Sequence, residues 1–199
     1  MNVKQQIKEY KRELILDAAA KLFYEKGFQK TTIDDIGAAL GVTKPFIYTY
    51  FENKYAILEQ LFDQSFEELY VDVLKVLNSK QGSPKDRLRQ LITVYVEKNI
   101  ERQRFTAIML EEEKNLSSKK ISDIRRKQRD FDTKLARLIE EGVEAGQFRV
   151  SDPMIASLAI SGMVRWTHRW YSPQGRLSAS ELATRLSDLA LNLVGCAQA

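Results

Sequence analysis

Histidine and cysteine each occur once in this chain of 199 residues, as His168 and Cys196. A single thiol closes no internal disulfide, and one histidine with one cysteine leaves a metal centre short of ligands. Cys196 reads as a small residue in a terminal helix. Glycine is sparse too: the nine glycines stand singly at breaks or inside helical runs, and none builds a phosphate-cradling loop. No Gly-x-Ser-x-Gly elbow is present. The run Glu111-Glu112-Glu113 concentrates carboxylates, but consecutive residues point around a helix instead of converging. Only a Ser-His-Asp arrangement assembled from distant positions stays open. The chain is therefore read as a non-enzyme, with no catalytic residues, no metal and no cofactor expected. No apolar run approaches the roughly 20 residues of a spanning helix, so a membrane is not an expected partner. The opening MNVKQQIKEYKRE lacks the apolar core of a signal peptide, which points to the cytoplasm. No stretch alternates as a half-buried strand does, and no internal repeat is visible.

What is present is apolar residues at helical spacing. A hydrophobic share of 44% suffices for a packed core in one domain or two small ones. A first helix over about 3–26 places Leu14, Ala18, Leu22 and Phe23 inward, and Gly27 stops it. A long helix from Asn53 carries Leu58, Leu61, Phe62, Phe66, Leu69, Val73 and Val76 on one face until Gln81-Gly82-Ser83-Pro84 breaks it. Helices follow over 85–96 (Leu88, Leu91, Ile92, Tyr95, Val96) and 105–111. Another of about 25 residues carries Ile121, Ile124, Phe131, Leu135, Leu138, Ile139 and Val143. Ser151-Asp152-Pro153 opens an apolar helix to Trp170, and Ser180 opens the last one. The count is about nine, an all-α fold. Net charge is +4 with a pI near 9.0, a modest bias toward a polyanion. Residues 1–12 set Lys4, Lys8, Lys11 and Arg12 against Glu9 alone. They form either a basic arm along phosphates or a solvated tail.

The most informative stretch is Thr31–Lys54, TTIDDIGAALGVTKPFIYTYFENK. Thr31 or Thr32 caps a short helix, and Asp34 and Asp35 favour its positive end. Ile33, Ile36 and Leu40 pack inward, and Gly41 supplies a left-handed stop. Thr43 begins a second helix, where an early Pro45 wastes no amide. That helix carries a lysine, a hydroxyl and phenols at 44–50 although Phe46 or Ile47 is needed for its core. Donors on a short helix suit a DNA major groove; another helical hairpin of the core is the plainer alternative.

Residues 12–54 resemble the DNA-binding segment of the TetR family of transcriptional regulators. The likeness runs through Ile15, Ala18, Ala19, Leu22, Phe23, Gly27-Phe28 and Thr31-Thr32 to Tyr48, Tyr50-Phe51 and Lys54. Gly37 departs from the family's usual alanine, which softens the helix by roughly 1 kcal/mol. Thr49 replaces the common histidine, tyrosine or asparagine. The resemblance implies a helix-turn-helix domain over 1–55 and an effector-binding and dimerisation domain over 56–199. It implies that Thr43, Lys44, Tyr48 and Thr49 face the groove while Pro45 permits close approach to the backbone. Thr32, Tyr50 and Lys54 are carried over as phosphate contacts, and the basic arm lies along phosphates in some relatives. Such regulators bind operator DNA as homodimers, with half-sites about one helical turn, roughly 34 Å, apart or somewhat more.

Gly162–Leu177, GMVRWTHRWYSPQGRL, is the second informative stretch. At about 100° per residue, Ile155, Ala159, Gly162, Met163, Trp166 and Trp170 share a face, with Arg165 and Arg169 at its edge. An ordinary stacking border to the core is one reading. The stretch also resembles the equivalent helix of TetR-type regulators that sense acyl-CoA thioesters. That resemblance implies an effector site of Phe62, Phe66, Tyr95, Met109, Phe131, Arg165, Trp166 and Arg169. The long helix from Asn53 then acts as lever, its first turn at the DNA and Phe62–Tyr70 at the pocket. Leu182, Leu186, Leu189 and Leu193 form a face in need of a partner, and Ile160 and Val164 lie in a segment too apolar for a monomer surface. Together they are expected to make a four-helix dimer interface. The expected activity is repression relieved by a small hydrophobic effector, an acyl-CoA. A regulator of an efflux or stress operon sensing drug-like compounds is one alternative, and a non-catalytic helical adaptor is another. Operator, effector, regulated genes, the sign of regulation at each promoter and the role of Cys196 are not written in the sequence.

Overall fold

The computed structural model describes residues 2–196, the side chains of 65–70 excepted. Among them run nine α-helices: α1 (Val3–Lys26), α2 (Ile33–Leu40), α3 (Lys44–Tyr48), α4 (Lys54–Asn78), α5 (Pro84–Glu101), α6 (Gln103–Glu112), α7 (Ser118–Glu144), α8 (Pro153–Trp166) and α9 (Ala179–Leu193). Short 3-10 turns follow α6 (Glu113–Asn115) and α8 (Thr167–Arg169). No described residue lies in a strand, and among the described residues no helix is long and apolar enough to cross a membrane. The fold is all-α, as the spacing of apolar residues required.

Two compact units divide the chain. The first comprises residues 1–66 and 104–121. Its core is Ile15, Leu16, Ala19 and Phe23 of α1, Phe28, Ile33 and Ile36, Ile47 and Phe51, and Ile57, Leu58, Leu61 and Phe62 of α4. Of the inward face expected for α1, Leu22 and Phe23 are buried and Ala18 half-buried, but Leu14 is 40% exposed and its neighbour Ile15 fully buried in its place. Residues 104–121 are held to this unit by polar bonds. The Phe28 amide donates to Glu112 (3.2 Å), Gln29 to Asn115 (2.7 Å) and the Ser117 hydroxyl to Glu59 (2.6 Å), while Lys120 pairs with Asp63. Packing thus extends this unit past residue 55, where the motif ends, and adds a segment remote in sequence.

The second unit comprises 67–103 and 122–199, of which 197–199 lie outside the description. Here α5 packs along α9 and contacts α8. Leu88, Leu91, Ile92, Tyr95 and Val96 are all buried, as are Phe131, Leu135, Leu138 and Ile139 of α7. Val143, expected on that face, is 37% exposed. Several buried polar groups inside are hydrogen-bonded to one another. Asn99 donates to the Val164 carbonyl (3.0 Å) and to Thr167 (2.7 Å), and Ser161 donates to Asp132 (2.6 Å).

Candidate nucleic-acid interface

Local chemistry fixes the α2–turn–α3 segment. Thr32 caps α2 by accepting from the Asp35 amide (3.1 Å), and the Asp35 carboxylate accepts in return from the Thr32 amide (2.8 Å). The Thr32 bonds hold the Asp35 carboxyl below its ordinary pKa. Thr31 is no cap. It is buried and donates to the Leu22 and Gly27 carbonyls. Gly41 ends α2 in the left-handed region (φ 66°), which any other residue enters at a cost. Gly37 is also required. A β-carbon there would lie 2.8 Å from the Val42 carbonyl oxygen, so an alanine at 37 would force this turn to shift.

Five of the residues assigned to the DNA face are exposed on α3 and its flanks: Thr43, Lys44, Pro45, Tyr48 and Thr49. Beneath them Ile47 and Phe51 are buried, and Phe46 is half-buried with its ring 5.2 Å from that of Tyr50. Thr43 spends no side-chain bond on capping α3. Thr49 donates to the Pro45 carbonyl (3.1 Å), which leaves its hydroxyl oxygen as an acceptor. The Lys44 ammonium lies 2.9 Å from Asp34, whose carboxylate raises the lysine's pKa. Thr32 is exposed and Tyr50 half-buried.

Lys54 requires a correction. Its ammonium is turned inward and donates to the carbonyls of Phe28 (2.6 Å), Thr31 (2.7 Å) and Gln29 (3.3 Å). Those three bonds use all three of its protons. Burial lowers its pKa, opposed by the charge of Glu112. Arg12, grouped with the basic arm, is likewise structural. It donates to the Tyr50 carbonyl (3.0 Å) and to Gln60 (3.2 Å), and sits 4.6 Å from the Phe51 ring centroid. Carbonyls left over where short helices end need donors, a demand that pattern reading from the motif outward does not register.

The residues assigned to an effector fall in both units. Phe62 is buried and Met109 half-buried in the first, while the side chain of Phe66 lies outside the described residues. In the second, Tyr95 and Phe131 are buried with ring centroids 5.3 Å apart. The tryptophan face turns the other way from the one expected. Trp166 is 60% exposed with the Arg169 guanidinium 5.9 Å from its ring, and Trp170, beyond the helix end, is exposed as well. Arg165 is half-buried, bonded to the Ser161 carbonyl (3.2 Å). Conversely Ile160, Val164, Leu182 and Leu186, assigned to a dimer contact, are buried in the chain's own core. Because α8 is apolar nearly all round, its spacing does not say which side looks inward. The exposed large apolar residues are Met154, Ile155, Leu158 and Trp166 on α8, with Leu189 and Leu193 on α9. A recess of about 250 Å³ is lined by Trp170, Tyr171, Ser172, Gly175, Arg176 and Leu177. None of the assigned effector residues lines it.

Comparison with known proteins follows the same division. The chain is 25% identical over 187 residues to the transcriptional repressor KstR2 of Rhodococcus jostii, covering 93% of this chain and 91% of that one. The crystal structure of the regulator PfmR from Thermus thermophilus superposes with a TM-score of 0.82 at 32% identity, covering 89% and 97%. The fold is also that of AibR, solved with isovaleryl coenzyme A and operator DNA (TM-score 0.76, 23% identity, 92% and 97% covered). Residues 15–61 match the model for bacterial regulatory proteins of the tetR family, and residues 81–194 match that for the tetracyclin repressor-like C-terminal domain. With both halves matched, the chain belongs to the TetR family of transcriptional regulators.

Proposed function

We propose that this regulator represses transcription by binding an operator as a two-fold dimer and leaves it when an acyl-CoA binds. One observation carries the DNA reading: α3 exposes Thr43, Lys44, Pro45, Tyr48 and Thr49 together while Ile47 and Phe51 anchor it from below. The groove-facing set is thus rigidly mounted. Thr32, Tyr50 and the capped start of α4 flank it as backbone contacts, which fix register without reading bases. Residues 1–55, all within the first unit, are read as the DNA-binding domain and 56–199 as the effector and dimer domain. An adaptor protein gives no reason for a cation, two hydroxyls and a phenol on so short a helix.

The dimer is assigned to the exposed faces of α8 and α9, namely Ile155, Leu158, Leu189 and Leu193. One short helix contacts too few base pairs to select a site alone. Support for an acyl-CoA comes from the buried aromatics Tyr95 and Phe131 of the second unit, from the Arg165–Trp166–Arg169 cluster of the same unit, and from AibR, whose fold this chain shares. Release is a population shift toward a state whose recognition helices are mis-spaced, and about 100-fold differential affinity supplies about 2.7 kcal/mol of coupling. The cytoplasm is the compartment such a role requires. Operator selection from random duplexes, followed by titration of the complex with fatty, aromatic and steroid acyl-CoAs, tests both parts. Failure to select any duplex sinks the DNA reading. Displacement by uncharged hydrophobic compounds alone, equal in wild type and Arg169→Met, assigns the effector to the drug-like class instead.

A further inference from the structure

The N-terminal half of α1 carries an apolar stripe that neither the DNA reading nor the effector reading uses. Val3, Ile7, Tyr10 and Leu14 are 65%, 50%, 62% and 40% exposed. Their spacing of four, three and four confines them to an arc of about 60° on the helix surface. Ile15, Leu16, Ala19, Ala20, Leu22 and Phe23, which α1 buries, project from the opposite side. A helix that packs on a core shows a stripe of about 100° or more, whereas a narrow seam of this spacing suits a coiled coil. One edge of the seam is basic, with Lys4 and Lys11 flanking it and Lys8 beyond; Gln6 and Glu13 form the other edge.

We propose that this stripe docks an amphipathic helix of a partner protein whose own apolar seam is flanked by acidic residues. Charge complementarity selects that occupant. A second copy paired antiparallel opposes Lys4 to Lys11, and like charges at those flanks weaken the pair. Paired parallel, it offers the lysines only Gln6. DNA phosphates answer the lysines but leave Ile7 and Tyr10 without a contact. A lipid surface favours a broad apolar face, and this seam is too narrow, with Glu9 and Glu13 among the first turns.

The test uses the full-length protein and a labelled three-heptad peptide with leucine at its seam and glutamate at both flanks, a sequence that repels its own kind. A control peptide carries lysine at the flanks. The glutamate peptide is expected to bind and the lysine peptide not, with binding weakened by salt. Ile7→Ser with Tyr10→Ser is expected to weaken it roughly tenfold or more, since two apolar contacts vanish. Operator affinity of that double variant should be unchanged, which shows that it is folded. The proposal fails if neither peptide binds, if both bind alike, or if the double variant binds as wild type does. It fails also if sedimentation shows that the variant loses a higher-order assembly of the chain itself, which assigns the stripe to a second copy. Loss of co-sedimentation with phosphatidylserine-containing vesicles, without peptide binding, assigns it to lipid.

Discussion

Three cations around the recognition helix divide by what their nitrogens touch. Lys54 bonds three carbonyls of the loop between α1 and α2, and Arg12 bonds the carbonyl of Tyr50; Lys44 alone reaches outward, to Asp34. Lys54→Met should therefore lower stability by about 1–3 kcal/mol, visible as a fall in thermal midpoint, before any effect on DNA is counted. Lys44→Ala should leave the midpoint unchanged and reduce the salt slope of operator binding by about one. Equal midpoints for wild type and Lys54→Met would contradict the inward assignment. Asp34→Asn should tighten binding to all duplexes, because Lys44 then has no acid to prefer and a negative charge leaves the DNA face. Filter binding on operator and random DNA reads that directly, and a weaker complex would refute it. The lysine at 54 was visible in the sequence as a basic residue next to the motif. Its direction was not, because unpaired carbonyls arise only once three segments meet.

At the scale of elements, stops and caps were the legible part. Gly41, Pro45 and Asn53 bound their helices where residue chemistry placed them, and the Asn53 side chain accepts from the Ala56 amide (2.9 Å). Gly37 was legible only as a departure. Alanine should add roughly 1 kcal/mol of helix propensity. Here it would drive a methyl into a backbone carbonyl 2.8 Å away, an atom that cannot swing aside. Gly37→Ala should thus lose both stability and operator affinity, and a gain in thermal midpoint would show that the turn relaxes freely. The cap on α2 carries a pH signature. Thr32 depresses the Asp35 pKa, so its contribution is full above the ordinary aspartate value and is lost as pH falls through and below it. The face of α8 was not legible. Ile160 and Trp166 are equally good core residues by composition, and only the placement of α5 and α9 around the helix decides between them.

For the whole molecule, the dimer prediction moves with that face. Leu189→Asp should split the dimer without unfolding the chain, since Leu189 is 52% exposed. Leu186→Asp should unfold it, because an unpaired carboxylate would enter the core. Sedimentation and circular dichroism together separate the two outcomes, and a dimeric Leu189→Asp would refute the interface. Within the second unit, Arg87 is buried and pairs with Glu141, which also meets Lys80. Those cations, Lys80 first, hold the Glu141 carboxyl below its ordinary pKa. The clamp is intact above that ordinary value and fails as pH drops past it. Glu141→Gln should cost about 2–3 kcal/mol at neutral pH, less than for a fully buried pair because Glu141 keeps some contact with water.

The first unit is assembled from two pieces of chain separated by 67–103. A protein cut after residue 66 keeps every side chain assigned to DNA but loses Glu112, the acceptor for the Phe28 amide, along with Asn115, Ser117 and Lys120. Lys54 of α4 bonds the Phe28 carbonyl, so the missing bonds lie next to the lysine that closes the α1–α2 loop. Expressed alone, such a fragment should be looser at the α1–α2 loop that leads into the helix-turn-helix, and adding back a peptide of residues 104–121 should restore part of its order. In this fold the unit that carries the recognition helix is not finished by the first sixty residues; it is completed by a strap that the chain supplies only after five helices have been made.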